Sequence, residues 1–542
     1  MLVPDVGFTP TIPNLVRRLA DHWGDRELLV TPDARLTYAE AERTTRRVAK
    51  ELLARGYGKG SRIGFLFGNT TDWVVLWLAI ARIGGVAMPF PTTYRPAELR
   101  TALRIGDTRT LVVPAELFGR DMAEFLESAI PGLADAHEHV LRLPAVPCLD
   151  HVWTTTPIRR AWAGGIDLRP GSDGDHPEIA EDYFTAIESQ VHPSDPMLVI
   201  FTSGTTAEPK GVVHSHGTYV RHAHNVADAN DVPGDLRVLG GAPFFWIGGV
   251  SHTLGPLMVR GNTLLCTPKF DADGALDLIE RERATVVNVF PYMAQRLAER
   301  ARLTGRDPTS IPFPAPSDVP SDRRTAALGM TETCATYIAT GPRGHVIPEE
   351  HRGAQGFPVP FSEYRIADLA TGETLAEGVE GEICVRGYSL MLGMCKRERH
   401  EVFDDDGWYH TGDKGYLAGP YIHFTGRAKD LIKTTGANVS PREVEVVLDS
   451  HPDVLVSVVV GIDDHRRGEV VGAVMVPAAG AVIDPVEVVT WADRELSSYK
   501  VPRRVLIVDE SDVPYLGTGK LDRRTLADRL RDEGSNVGPR RD

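Results

Sequence analysis

The chain has 542 residues, with 59 Lys+Arg against 74 Asp+Glu and a formal net charge of −15. At ~100–200 residues per domain, that length predicts more than one domain and a large core. Hydrophobic residues at 42% and charged residues at 25% exclude general disorder, and the acidic balance argues against a basic nucleic-acid-binding protein.

Thr37 and Glu40 form a capping-box pattern, after which Ala41, Thr45, Val48 and Leu52 fall on one helical face. Gly56 and Gly58 end that helix. An apolar run over 63–67, a buried helix over 72–82 and another apolar run over 86–90 come next. Apolar β-runs separated by helices predict a parallel sheet covered on both faces, so the fold class is α/β. Residues 116–195 are acidic and rich in Pro and Gly, and surface excursions and loops are expected there. A β-run over 197–201 leads into a loop of small hydroxyl residues. Near the C-terminus, Ser440-Pro441-Arg442-Glu443 reads as N-cap, N1 proline and capping glutamate of a helix. Strands over 454–461 and 472–476 and a helix over 486–496 complete a smaller unit.

Five cysteines (Cys148, Cys266, Cys334, Cys384, Cys395) are odd in number and contain no C-x-x-C pair. A disulfide framework or cysteine zinc site is not expected, and a reducing compartment is. The first 13 residues lack the basic and apolar stretches of a signal peptide, and Arg82, Gly84 and Gly85 interrupt the apolar stretch over 73–90. The expectation is a soluble cytoplasmic protein.

The loop after residue 201 reads Thr202-Ser203-Gly204-Thr205-Thr206-Ala207-Glu208-Pro209-Lys210-Gly211. Glycines let backbone N–H groups approach an anion, hydroxyls add donors, and Lys210 adds a positive charge, which is the make-up of a phosphate cradle. It lacks the G-x-x-x-x-G-K-[ST] spacing of a Walker A loop, and on its own a plain polar turn remains an alternative.

This stretch closely resembles the signature of the adenylate-forming superfamily of acyl-CoA synthetases, peptide-synthetase adenylation domains and luciferases. Four more signatures follow in that family's order. Gly329-Met330-Thr331-Glu332-Thr333 resembles the motif whose threonine contacts phosphate and whose glutamate helps hold Mg²⁺. Tyr409-His410-Thr411-Gly412-Asp413 resembles the segment whose aspartate binds both ribose hydroxyls. Gly426-Arg427-Ala428-Lys429-Asp430 resembles the interdomain hinge, with Arg427 near the ribose and Lys429 at the pivot. Residues 514–523, with Gly517-Thr518-Gly519-Lys520, resemble the loop that delivers a catalytic lysine.

The resemblance covers roughly residues 14–530. It implies a large N-terminal domain over 1–425, of mostly parallel sheets plus a small β-barrel-like subdomain, and a mobile α+β cap over 426–542. It also implies a two-step reaction. A carboxylate attacks the α-phosphorus of Mg²⁺-bound ATP, giving acyl-adenylate and pyrophosphate, and a thiol then displaces AMP. Lys520, Glu332 and Thr205 are the expected catalytic residues. Thr202, Ser203, Gly204, Thr205, Thr206, Lys210, Thr331, Glu332, Asp413, Arg427 and Lys520 are expected on the nucleotide, with Glu332 on the metal. A mobile ammonium at Lys520 suits negative charge that builds on phosphoryl and carboxylate oxygens.

Pro243-Phe244-Phe245-Trp246-Ile247-Gly248-Gly249 resembles the family's acyl wall, with Trp246 where many members carry His. Phe245, Trp246, Gly248 and Gly249 are therefore the expected pocket residues, core packing being an equal alternative for Phe244 and Phe245. An apolar wall suits a fatty, alicyclic or aryl acid, in keeping with lipid metabolism. Lys433 through Pro441 resembles the loop beside the pantetheine channel, placing Lys433 and Gly436 there. The chain ends 22 residues after Lys520, so no fused carrier domain is expected and free coenzyme A is the simpler acceptor. A separate carrier protein stays an alternative, and a homodimer is compatible with the sequence.

Two clusters have bland readings. His214, His216, His222 and His224 have no carboxylate or thiolate among them, so structural roles are expected. Asp404-Asp405-Asp406 reads as a solvated turn. One segment departs from the family. Only 26 residues run from Leu303 to Leu328, where a strand, a helix and a strand need ~30, and they include Pro308, Pro312, Pro314, Pro316 and Pro320. The Gly-Gly-Ala turn that usually meets adenine is missing, and Leu328 replaces the tyrosine that commonly stacks on it. A rebuilt adenine wall around 314–317 and a catalytically impaired binding homologue are the competing expectations.

Overall fold

The computed structural model describes residues 3–138, 140–171, 176, 178–203, 209–313, 323–427, 432–434, 437–439, 441–464, 468–496, 500–515 and 521–537. The fold is mixed α/β, with a large N-terminal part and a smaller C-terminal one. Its contacts divide it into two compact units. One comprises residues 1–363 and 385–409, the other 364–384 and 410–542.

The first unit is built on an eight-stranded sheet. From one edge it runs Gly393–Met394, Pro209–Ser215, Pro196–Ser203, Val86–Pro89, Arg62–Phe65, Thr110–Val113, His151–Thr154 and Ala163–Gly165. The strands from Pro196–Ser203 to Ala163–Gly165 pair in parallel, whereas Pro209–Ser215 pairs antiparallel on both sides. The helices between these strands form for readable reasons. Thr37 and Glu40 complete the expected capping box of Tyr38–Ala54, whose Ala41, Thr45, Val48 and Leu52 are all buried. The Thr70 hydroxyl caps Thr71–Arg82, a helix buried on every side. Its Trp73 and Trp77 rings meet Phe65, Phe244 and Tyr219 edge-on in the main core.

Residues 116–195 differ from the expectation of loops. They supply the helices Met122–Ala129 and Glu181–Ser189, and two parallel strands at the edge of the large sheet. These strands are only four and three residues long, and Ala163–Gly165 carries two glycines, so local pattern does not mark them. A second, five-stranded sheet runs Val286–Asn288, Arg237–Gly240, Thr263–Leu265, Glu27–Val30 and Arg35–Thr37. Along its Val286–Asn288 edge, Val287 donates its N–H to the Pro312 carbonyl at 2.9 Å, so the proline-rich stretch begins where this sheet ends.

The second unit holds a long hairpin, Val454–Asp464 with Gly468–Pro477, which Arg504–Ile507 joins in parallel. Helices Pro441–Asp449, Pro485–Glu495 and Arg523–Glu533 accompany this sheet. A separate sheet orders Ser362–Ala367, Gly381–Gly387, Tyr409–Ala418 and Tyr421–Arg427. No helix among the described residues is long and apolar enough to cross a membrane.

Candidate active site

In the first unit, the expected phosphate loop is narrower than its sequence signature. The strand Pro196–Ser203 continues past residue 201, and the return strand begins at Pro209. Thr202 stands directly opposite Lys210, and Ser203 opposite Pro209, at the mouth of an antiparallel hairpin. Cross-strand partners share a face, so the Thr202 hydroxyl and the Lys210 ammonium are presented together. Gly204, Thr205 and Thr206 lie outside the described residues, as does the Ser203 side chain.

The Gly329–Thr333 motif forms a tight reversal. Strand Leu328–Met330 leads into a single 3-10 turn, Thr331–Thr333, and returns antiparallel as Ala335–Ala339. A side chain at Gly329 would sit 2.3 Å from the Ala335 carbonyl oxygen, so only glycine fits. Cys334 and Ala335 take positive φ values of 58° and 97°, local strain of ~1–3 kcal/mol each that neighbouring bonds must hold. Those bonds are present. The His214 Nε2–H donates to the Thr331 carbonyl at 2.8 Å, the Met391 N–H to the Glu332 carbonyl at 2.9 Å, and the Ser251 hydroxyl to the Cys334 carbonyl at 2.6 Å. Thr331 is buried and Glu332 half-buried. The Glu332 carboxylate has no hydrogen-bond or ion-pair partner among the described residues.

Burial pushes His214 down to about 4 and His216 and His222 to about 3, so all three are neutral core groups at pH 7. His216 accepts the Ile12 N–H and His222 meets the Tyr388 hydroxyl. Their burial and these bonds are the structural roles expected of the cluster. That expectation missed that His214 holds the Thr331 turn, which has no local signal because the contact spans 117 residues.

The acyl-wall segment separates into two kinds of residue. Phe244 is fully buried against Trp73 and donates its N–H to Asn69, which makes it core. Phe245 is buried and meets the half-buried Trp246 edge-on at 5.2 Å. A π-helix, Gly248–Leu254, begins there. A side chain at Gly249 would strike the Pro243 carbonyl at 2.1 Å, so its requirement is structural, whereas one at Gly248 would meet open space.

In the second unit, Asp413 and Arg427 face each other across the Tyr409–Ala418 and Tyr421–Arg427 hairpin. The Arg427 Nε lies 3.1 Å from Asp413 Oδ1, with the carboxylate buried and the guanidinium half exposed. The turn ahead of Asp413 is fastened by side chains. The Asp413 N–H donates to Thr411 Oγ1 at 3.0 Å, and that hydroxyl donates to the Ile383 carbonyl at 2.6 Å. Glu382 accepts the Gly412 N–H at 2.8 Å through one oxygen and meets His410 Nδ1 at 2.8 Å through the other. Sequence reasoning missed Glu382, which lies 30 residues from the turn it holds.

Lys520, Lys429 and Gly436 lie outside the described residues, as do Pro314 through Ser317, and of Lys433 only the backbone is described. The base of the lysine loop is nevertheless fixed. Tyr515 bridges to Leu521, and the Asp522 N–H donates to the Pro514 carbonyl at 3.0 Å. Arg523 then donates to the Val459 carbonyl at 2.6 Å and pairs with Glu445 at 2.9 Å.

Comparison with known proteins identifies the family. The family model of AMP-binding enzymes matches residues 16–394, and that of the AMP-binding enzyme C-terminal domain matches residues 443–520. A feruloyl-CoA synthase of an Amycolatopsis species is 32% identical over 500 residues, covering 90% of this chain and 92% of that protein. A putative acyl-CoA synthetase of Bacillus subtilis, YngI, is 28% identical and covers 96% and 97%. The crystal structure of ATP-bound MatB from Rhodopseudomonas palustris superposes with a TM-score of 0.73 at 28% identity, covering 96% of this chain and 99% of that one. With the matched family residues spanning both units, the chain belongs to the AMP-binding enzymes, the adenylate-forming superfamily.

Proposed function

We propose that this chain is an AMP-forming acid–thiol ligase, which activates an apolar carboxylic acid with ATP and passes the acyl group to coenzyme A. The observation that carries this reading is the 329–335 reversal. It presents a threonine and a carboxylate with no partner among the described residues, on a backbone locked by sterics and by His214. Thr331, Thr202 and Lys210 bind phosphoryl oxygens by hydroxyl and ammonium donation. Asp413 accepts from the ribose hydroxyls, and Arg427 shares that carboxylate and the ribose. Glu332 fits a magnesium ion, because a single half-exposed carboxylate beside phosphate oxygens is the hard-oxygen set this ion takes. Mg²⁺, when bound, neutralises phosphate charge. Lys520 brings an ammonium to the oxygens that gain charge as the acid attacks, and Thr205 adds a hydroxyl donor.

Phe245, Trp246 and the space beside Gly248 form the acyl wall. With the activities named for the feruloyl-CoA synthase and the acyl-CoA synthetase relatives, this supports an aryl or alkyl acid. Lys433 and Gly436 line the thiol approach, and Lys429 is the pivot between a body over 1–425 and a cap over 426–542. No disulfide joins any of the five cysteines, which supports the cytoplasm as location. Pyrophosphate release is the test, run on aryl and medium-chain acids with and without coenzyme A. Release that needs an acid, with thioester formed only when coenzyme A is present, is expected. Release without any thioester would move the acceptor to a carrier protein, and no release with any acid would reject the ligase.

A further inference from the structure

Strands Gly381–Gly387 and Tyr409–Ala418 are neighbours in one sheet, and Glu382 and Cys384, two apart on the first, share a face. His410, near the start of the second strand, touches both. Its Nδ1 lies 2.8 Å from Glu382 Oε2 and 3.5 Å from Cys384 Sγ. One donor atom from each residue falls within 4.8 Å of the other two. Cys384 is fully buried, Glu382 half-buried and His410 exposed, so the cluster opens to solvent on its histidine side.

A thiolate, an imidazole and a carboxylate make a donor set for zinc and its late transition-metal relatives, whereas magnesium and calcium take oxygen alone. Tetrahedral bonds of about 2.3 Å to sulfur and about 2.0 Å to nitrogen separate those donors by about 3.5 Å, the spacing Cys384 and His410 already have. The carboxylate has to withdraw from the imidazole by only about 0.5 Å, which a rotation of Glu382 supplies.

We propose that Glu382, Cys384 and His410 bind one zinc-class divalent ion, with water in the fourth position. On binding, the Cys384 thiol loses its proton to solvent, and the proton that His410 Nδ1 donates to Glu382 in the free protein is exchanged through solvent to Nε2, so that Nδ1 ligates the ion. One proton is therefore released per ion. Glu382 accepts the Gly412 N–H through Oε1, so an ion taken through Oε2 leaves that bond to the Asp413 turn in place as an outer-shell contact.

The test uses the full chain freed of metal by chelation, titrated with cobalt(II) under absorption spectroscopy and with zinc by calorimetry. One ion per chain is expected, with a thiolate-to-cobalt charge-transfer band and a heat that varies with buffer as one released proton requires. Cys384→Ser abolishes that band, and Cys384→Ser and His410→Ala each weaken zinc binding at least about ten-fold at unchanged melting temperature. No stoichiometric binding, or a band that survives Cys384→Ser, overturns the site.

Discussion

The two halves of the proposed nucleotide-binding residue set, one in each unit, are held by different physics. The Gly329–Ala335 reversal is fixed by steric exclusion at Gly329, by strained backbone at Cys334 and Ala335, and by donation from a buried neutral imidazole. The Asp413 turn is fixed by charged and exchangeable groups: Glu382, a half-exposed His410 and an Arg427 that is 52% exposed. A site made of shape answers to added volume and is indifferent to salt. A site made of charge answers to ions, and its pairs are partly screened. The residues proposed for phosphate thus sit on the sterically fixed half, and those proposed for ribose on the half held by charge.

Lys520→Ala, outside both halves, sets the scale with the largest effect. It is expected to lower acid-dependent pyrophosphate release ~10²–10³-fold while ATP affinity, by calorimetry, stays nearly constant. Comparable turnover in this variant would sink the lysine assignment. Gly329→Ala probes the steric half. The new methyl group must displace the Ala335 carbonyl and with it Thr331 and Glu332, costing ~1–3 kcal/mol of stability and about 10²-fold in kcat/KM. Wild-type rates in a variant that melts normally would show that the reversal is not rigid. Asp413→Asn probes the charged half. Losing hydrogen bonds to a charged acceptor is expected to weaken ATP binding ~10–100-fold. A loss confined to kcat at unchanged ATP affinity would remove Asp413 from the ribose.

The smallest effect is a pH dependence. Native His214 titrates at about 4 because burial disfavours its charged form, while the unfolded chain takes up that proton near the ordinary value of 6.5. Stability is therefore whole above 6.5 and falls as pH drops toward 4, by about 1.4 kcal/mol per pH unit for each such histidine. His214→Gln keeps a donor for the Thr331 carbonyl and removes the titration. Denaturant unfolding between pH 7 and 5 should show an acid slope shallower by one proton at near-normal activity. Identical slopes would mean that His214 is not the neutral buried donor.

What was legible in the sequence followed contact distance along the chain. The Thr37–Glu40 capping box and the buried helix Thr71–Arg82 rest on residues a turn or two apart, and both form as read. The stretch from Thr202 to Lys210 was legible from its residue types as a phosphate cradle, whereas Gly329 to Thr333 was marked only by its resemblance to the family motif. The strands His151–Thr154 and Ala163–Gly165 were not legible, because a short strand is specified by the neighbour it pairs with. His214 on Thr331 and Glu382 on Gly412 escaped likewise. Their chemistry is visible in the sequence, but the partner that gives it meaning is 117 or 30 residues away.

The central claim is that a carboxylate attacks the α-phosphorus of ATP on this chain. It is tested most directly by supplying an aryl or medium-chain acid with heavy oxygen in both carboxylate positions and analysing the products by mass spectrometry. The account predicts one heavy oxygen in AMP and none in pyrophosphate, because the acyl-adenylate bridge oxygen leaves with AMP when the thiol attacks the acyl carbon. Unlabelled AMP beside a fully labelled acid would contradict it.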